Sequence, residues 1–105
     1  MNEKEKEDFV SILEKIRVLR LQKSCDYGTS WKVFGLNGIL YQVRSKFVRI
    51  MNLTEGNKDP KHESLRDSFM DLANYSIMAV QLIDMNETED KFSALLKIQG
   101  VQDGQ

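Results

Sequence analysis

Three carboxylates, Glu63, Asp67 and Asp71, stand four residues apart. On a helix turning about 100° per residue they fall within about 80° of one another, with Asn74 among them, so all four share one side. Neighbouring members lie about 6 Å apart along the axis and the outer pair about 12 Å, too far for three to grip one ion directly. They suit one or two Mg²⁺ ions whose other positions are filled by water and substrate phosphate, as that cation prefers. The alternative is a solvated acidic face. Met70, Ile77 and Met78 fall in among the acids, however, and a face mixing acids with large apolar residues is expected to be partly covered by another helix or subunit.

Cations stand elsewhere in the chain. Gln42, Lys46 and Arg49 share one flank of a second helical stretch, where two positive charges beside an apolar seam either hold phosphate or pair with the acids of the third helix. The segment Lys23 to Trp31, Lys-Ser-Cys-Asp-Tyr-Gly-Thr-Ser-Trp, gathers polar and aromatic groups in a few residues. Its aromatics could stack on a base, with Asp26 accepting hydrogen bonds from the base edge or a sugar. Equally, Trp31 and Tyr27 could plug the end of a bundle while Asp26 or Ser30 caps a helix.

Other chemistries are poorly served. There is no Gly-rich phosphate loop, no Gly-x-Ser-x-Gly elbow and no EF-hand spacing. Cys25 is the only cysteine and His62 the only histidine, so neither an intrachain disulfide nor a Cys/His zinc site can form. Cys25 has no evident activating base, and the methionines read as core filler.

The elements that must position these residues follow from periodicity. Phe9, Ile12, Leu13, Ile16 and Leu19 predict an amphipathic helix over residues 5–24, ending where Gly28 marks a turn. Trp31 to Phe34 predicts a short helical turn, and Leu36, Ile39, Leu40, Val43, Phe47 and Ile50 a second stripe running to Leu53. Glu55 to Pro60 reads as a loop, with Pro60 opening a third helix over 61–85. That helix has an expected core face of Leu65, Phe69, Leu72, Ser76, Ala79 and Ile83. Asn86 or Thr88 is expected to cap a final short helix containing Phe92, Leu95, Leu96 and Ile98. No segment alternates with period two, so the expected fold is an all-α bundle of about four helices.

With 105 residues, 41% of them hydrophobic and 30% charged, one compact domain over 1–99 is expected, followed by a frayed tail over 100–105. No apolar run approaches the roughly 20 residues of a membrane span, and the charged start Met-Asn-Glu-Lys-Glu-Lys-Glu-Asp does not read as a secretory signal. A cytoplasmic setting is expected. The net charge of −1 hides a segregation: residues 17–49 carry seven Lys/Arg against Asp26 alone, while residues 50–105 carry ten acids against five Lys/Arg. A basic middle and acidic second half suit a site holding phosphate beside a cation, or two regions that attract each other. Most aromatics fit packing positions, so direct binding to nucleic acid is not expected.

Taken in order, Lys23-x-x-Asp26-Tyr27-Gly28-x-x-Trp31, Lys46-x-x-Arg49 and Asp67-x-x-x-Asp71-x-x-Asn74-Tyr75 resemble the nucleotide modification associated domain 1 family, common in bacteriophages and their hosts. That family is similar in turn to the MazG-like all-α nucleoside triphosphate pyrophosphatases. The resemblance implies an all-helical homo-oligomer of the bacterial or phage-infected cytosol, acting on a nucleoside triphosphate or a modified deoxynucleotide. Asp67 and Asp71 would be the catalytic, Mg²⁺-holding carboxylates, with Glu63 a further metal ligand. Lys46 and Arg49 would neutralise phosphates, while Lys23, Asp26, Tyr27, Trp31 and Asn74 would shape the nucleotide pocket. MazG-like enzymes carry a Glu-x-x-Glu pair on one helix, whereas here no acid stands between Leu36 and Leu53. The second reading is therefore a non-catalytic nucleotide-binding or structural subunit of a nucleotide-modification pathway.

Overall fold

The computed structural model describes residues 1–28, 30–55 and 62–98; within the helices, the side chains of Cys25, Asp26, Tyr27, Ser30, His62, Glu63 and Ile98 lie outside that description. The described residues form three helices and no strand. The expected loop over 55–60 and tail over 100–105 fall almost wholly outside the described residues.

Helix α1 spans Glu3–Tyr27. The Asn2 side chain accepts a hydrogen bond from the Glu5 backbone N–H at 2.8 Å, and Glu3 and Glu5 place negative charge at the positive end of the helix dipole. At the other end, the Gly28 N–H bonds the Ser24 carbonyl at 2.9 Å and closes the last turn. Helix α2 spans Ser30–Glu55 and is kinked at Gly35, where φ is 66° and ψ −161°. Only glycine occupies that region without strain. The predicted turn over Trp31–Phe34 and the stripe from Leu36 are thus the two limbs of one kinked element.

Helix α3 spans His62–Ile98, 37 residues and about 55 Å long. Among the described residues three helices stand where about four were expected. Asn86 and Thr88 open no new helix; the Thr88 hydroxyl instead bonds the Asp84 carbonyl one turn back at 2.9 Å. With no Gly or Pro between Pro60 and Gly100, nothing in the chain breaks the helix there.

Helices α2 and α3 make the main pairing and run antiparallel, so that Arg49 meets Ser68, Lys46 meets Asp71, and Ile39 packs with Tyr75, Met78 and Leu82. Trp31, Val43 and Ala79 pack against that cluster. The α3 register therefore differs from the expected one. Its buried seam runs through Ser68, Asn74, Tyr75, Met78 and Leu82, whereas Phe69 and Ile83 of the predicted core face are exposed. The first half of the seam is polar, and a hydrophobic period cannot see a polar seam.

Helix α1 touches α3 over a smaller area, through buried Ile16 and half-buried Leu19 and Lys23. Each predicted stripe is only partly covered. On α2, Ile39 and Ile50 are buried, but Leu36, Leu40 and Phe47 are exposed; on α1, Phe9, Ile12 and Leu13 are exposed. The radius of gyration is 18.9 Å, against about 13 Å for a compact chain of this length. No helix among the described residues is long and apolar enough to cross a membrane.

Candidate functional site

Asp71 is where the three helices meet. From α1, the Lys23 ammonium donates to Asp71 Oδ1 at 3.1 Å; from α2, Lys46 donates to Oδ2 at 3.0 Å. All three groups are largely shielded, with side chains 27%, 25% and 19% exposed for Lys23, Lys46 and Asp71. Two ammonium groups against one carboxylate leave a net positive charge. Nearby, Arg49 Nε donates to Ser68 Oγ at 3.2 Å, and the Ser68 hydroxyl donates to the Ser64 carbonyl at 2.8 Å. Of the two sequence alternatives for Lys46, pairing with an acid of the third helix is the one this structure displays.

Burial works to raise the Asp71 carboxyl, but hydrogen bonds from Lys46 and Lys23, with their charges, outweigh it and hold the group below its ordinary 3.8. A lowered folded-state value means that ionisation favours folding. The contribution is complete above the unfolded value and disappears as pH falls through the lowered one. Acid unfolding of the wild type should therefore steepen below about pH 4, while Asp71→Asn should be flatter there and less stable by about 1–3 kcal/mol at neutral pH, between exposed and buried pairs. Urea melts across about pH 2–7 check both features.

Asp67, four residues before Asp71, is exposed. Both line an open groove of about 600 Å³ between α1 and α3, with Lys15, Lys23 and Arg66. Glu14 lines it too, but is paired with Arg17 at 2.8 Å. The Glu63 side chain lies outside the described residues. Among the described residues no three acidic, His or Cys side chains gather as a metal set would, and both Asp71 oxygens already accept from ammonium groups. Mg²⁺ takes near-octahedral oxygen coordination; the described donors of one chain, with two cations against the central carboxylate, do not fit it.

A second cavity, of about 370 Å³, opens between α2 and α3. Trp31, Phe34, Tyr41, Gln42, Tyr75 and Met78 line it, with Gly38 and Ile39. A Cβ at Gly38 would lie 2.6 Å from the Phe34 Cβ, so glycine lets the two limbs of α2 approach behind the aromatic wall. The Arg20 guanidinium sits 4.6 Å from the Trp31 ring centroid and donates to Gln81 Oε1 at 3.3 Å. The volume and aromatic lining match small-molecule sites.

Thus the structure brings Lys23, Lys46 and Asp71 together, sets Arg49 beside Ser68, places Trp31 on the aromatic cavity and leaves Asp67 on the open groove. Asp26 and Tyr27 lie on the last turn of α1, with side chains outside the described residues. Asn74 is 0% exposed and lines a third cavity, between α1 and α3. Sequence reasoning missed Arg20 and Tyr75 as lining groups. Arg20 stands three residues before Lys23, on the same helix face, which was the available signal.

No curated protein matches the chain, and no solved structure does. The family model described as nucleotide modification associated domain 1 matches residues 23–85. The matched span begins at Lys23 and takes in Trp31, Lys46, Asp71 and Asn74, leaving out only the part of α1 that precedes Lys23. The chain belongs to the nucleotide modification associated domain 1 family.

Proposed function

We propose that the protein binds a nucleotide, a nucleoside triphosphate or a modified deoxynucleotide, with its phosphates at Lys23 and Lys46 and its base in the aromatic cavity. One observation carries this reading: two lysines from different helices converge on Asp71, one helical turn along α2 and α3 from residues that line that cavity. Gln42 and Tyr75, which line the cavity, stand four residues from Lys46 and Asp71, one turn or about 6 Å along each axis. That offset suits a sugar between base and phosphate. Arg49, a turn further along, meets the outer phosphates, Trp31 and Tyr41 supply stacking faces, and Asp71 holds both ammonium groups toward one point. The family's description supports a role in nucleotide modification, and the setting proposed is the bacterial or phage-infected cytosol.

A second reading, a Mg²⁺-dependent pyrophosphohydrolase related to the MazG-like enzymes, is favoured by Asp67 and Asp71 sharing one groove. It needs oxygen ligands that the described residues of one chain do not assemble. Pyrophosphate release from a panel of canonical and modified deoxynucleoside triphosphates, with Mg²⁺ or Mn²⁺ and an EDTA control, separates the two. The binding reading expects none from any member; metal-dependent release establishes the hydrolase instead.

The working unit in this proposal is a homo-oligomer. The chain exposes 8432 Å², about 2,300 Å² beyond the roughly 6,100 Å² expected of a compact monomer of 12.2 kDa. That excess is on the scale of an obligate interface. The uncovered halves of the α2 and α3 stripes, Leu36, Leu40 and Phe47 with Phe69, Val80 and Ile83, are what a second copy would cover.

A further inference from the structure

Trp31 stands on the short limb of α2, set off from α1 by Gly28, where φ is 54°, and from the rest of α2 by Gly35, where φ is 66°. Both values lie where glycine alone sits without strain. Unbroken helix therefore runs past Trp31 on neither side, and the placing of its ring falls to side-chain contacts. One is its packing against the cluster of Ile39, Tyr75, Met78 and Leu82. Another crosses from α1: the Arg20 guanidinium carbon lies 4.6 Å from the indole centroid, and Arg20 Nη2 donates to Gln81 Oε1 of α3 at 3.3 Å. Lys32 lies farther off, at 5.8 Å, and belongs to the same limb, so it cannot anchor that limb to another helix. Arg20 thus ties the limb to α1 and α3 at the aromatic end, as Asp71 ties the three helices at the polar end. It lines the α1–α3 cavity of about 240 Å³ and not the aromatic one, so it supports the indole from outside.

We propose that Arg20 is a positioning residue for the aromatic cavity: it holds the Trp31 indole as a fixed wall, so that an arriving base stacks on a ring already in place. The inference rests on the nucleotide reading above, and adds to it a residue that precedes the family-matched span of 23–85. A guanidinium suits the task, because its plane stacks on an aromatic ring while its edge keeps N–H groups for a second partner. A wall fixed beforehand spares the ligand the cost of ordering that side chain on binding. Arg20 acts through Trp31 and makes no contact with the ligand. Its removal therefore costs the base contact and spares the phosphates, the opposite of removing Lys46.

Trp31 is the only tryptophan of the chain, so its fluorescence reads the contact directly. In the ligand-free full chain, Arg20→Leu should shift the emission to the red and raise the acrylamide quenching constant. Arg20→Lys, which keeps a cation over the ring, should fall between wild type and Arg20→Leu. Calorimetric titration with the four canonical deoxynucleoside triphosphates and their nucleosides supplies the second readout. Arg20→Leu should weaken a bound triphosphate and its nucleoside by the same factor, about 2- to 30-fold, and Arg20→Lys should recover part of the loss. If Arg20→Leu fails to fold, Gln81→Leu, which frees the guanidinium from α3, should raise the quenching constant in the same direction by a smaller amount. Unchanged quenching, a loss confined to the triphosphate, or a lysine variant no better than the leucine one would overturn the inference. Raised quenching in Arg20→Leu, with no triphosphate or nucleoside bound by the wild type, would uphold the hold of Arg20 on Trp31 and overturn the nucleotide reading alone.

Discussion

Replacing Lys46 by methionine should weaken a deoxynucleoside triphosphate by about 10- to 150-fold, the loss of one charge-assisted hydrogen bond, and leave the free nucleoside unaffected. The asymmetry follows from geometry. Lys46 is three-quarters shielded and its ammonium lies 3.0 Å from Asp71, so it loses little solvation or conformational freedom when an anion arrives. Methionine keeps most of the aliphatic stem that packs along α2, and Lys23 still neutralises Asp71 from α1. The variant should therefore fold. Titration of wild type and variant with a triphosphate and with its nucleoside, at one fixed salt concentration, makes the comparison. Equal loss for both ligands would mean that the helix pairing had been damaged rather than a phosphate contact removed.

The second large effect concerns assembly. Phe69 is 52% exposed and Val80 58%, although α3 turns both away from its seam with α2. Burying a large apolar side chain gains about 1.5–3 kcal/mol, and a symmetric interface counts each residue twice. Because each is only about half exposed, Phe69→Glu with Val80→Glu should cost association at least about 3 kcal/mol in lost burial, with the cost of burying four carboxylates added, enough to turn a stable oligomer into a monomer at micromolar concentration. Light scattering after gel filtration would show the change in mass. Because the contact is apolar, the wild-type mass should not fall as salt rises. An assembly held by the basic middle mating with the acidic half would instead come apart, since exposed charge pairs are screened.

Particular residues show why some of this could be read from the chain. Phe9 to Leu19 and Leu36 to Ile50 repeat every three or four positions, and both stretches are helical. Gly28 and Gly35 stand where the backbone takes positive φ. The site's charge logic was legible as well: a basic second helix and an acidic third one do meet, at Lys46 and Asp71. The α3 register was not. Leu65, Phe69, Leu72 and Ile83 form the more regular apolar stripe, but α2 packs instead on Ser68, Tyr75, Met78 and Leu82. Periodicity reports which residues prefer burial, not which neighbour buries them. The mixture of acids with Met70, Ile77 and Met78 was the better guide, because Asp71 and Met78 do lie on a covered side while Asp67 stays exposed. The continuous α3 was missed because Asn86 and Thr88 have cap-forming side chains, and such residues also sit inside helices when their side chains bond back to the preceding turn.

The most direct test of the nucleotide-binding claim is calorimetric titration of the wild-type chain with canonical and modified deoxynucleoside triphosphates, in EDTA and again with Mg²⁺. The lysine pair and aromatic cavity predict saturable binding in EDTA for at least one of them, tighter than for its nucleoside. No binding of any triphosphate under either condition would contradict the account.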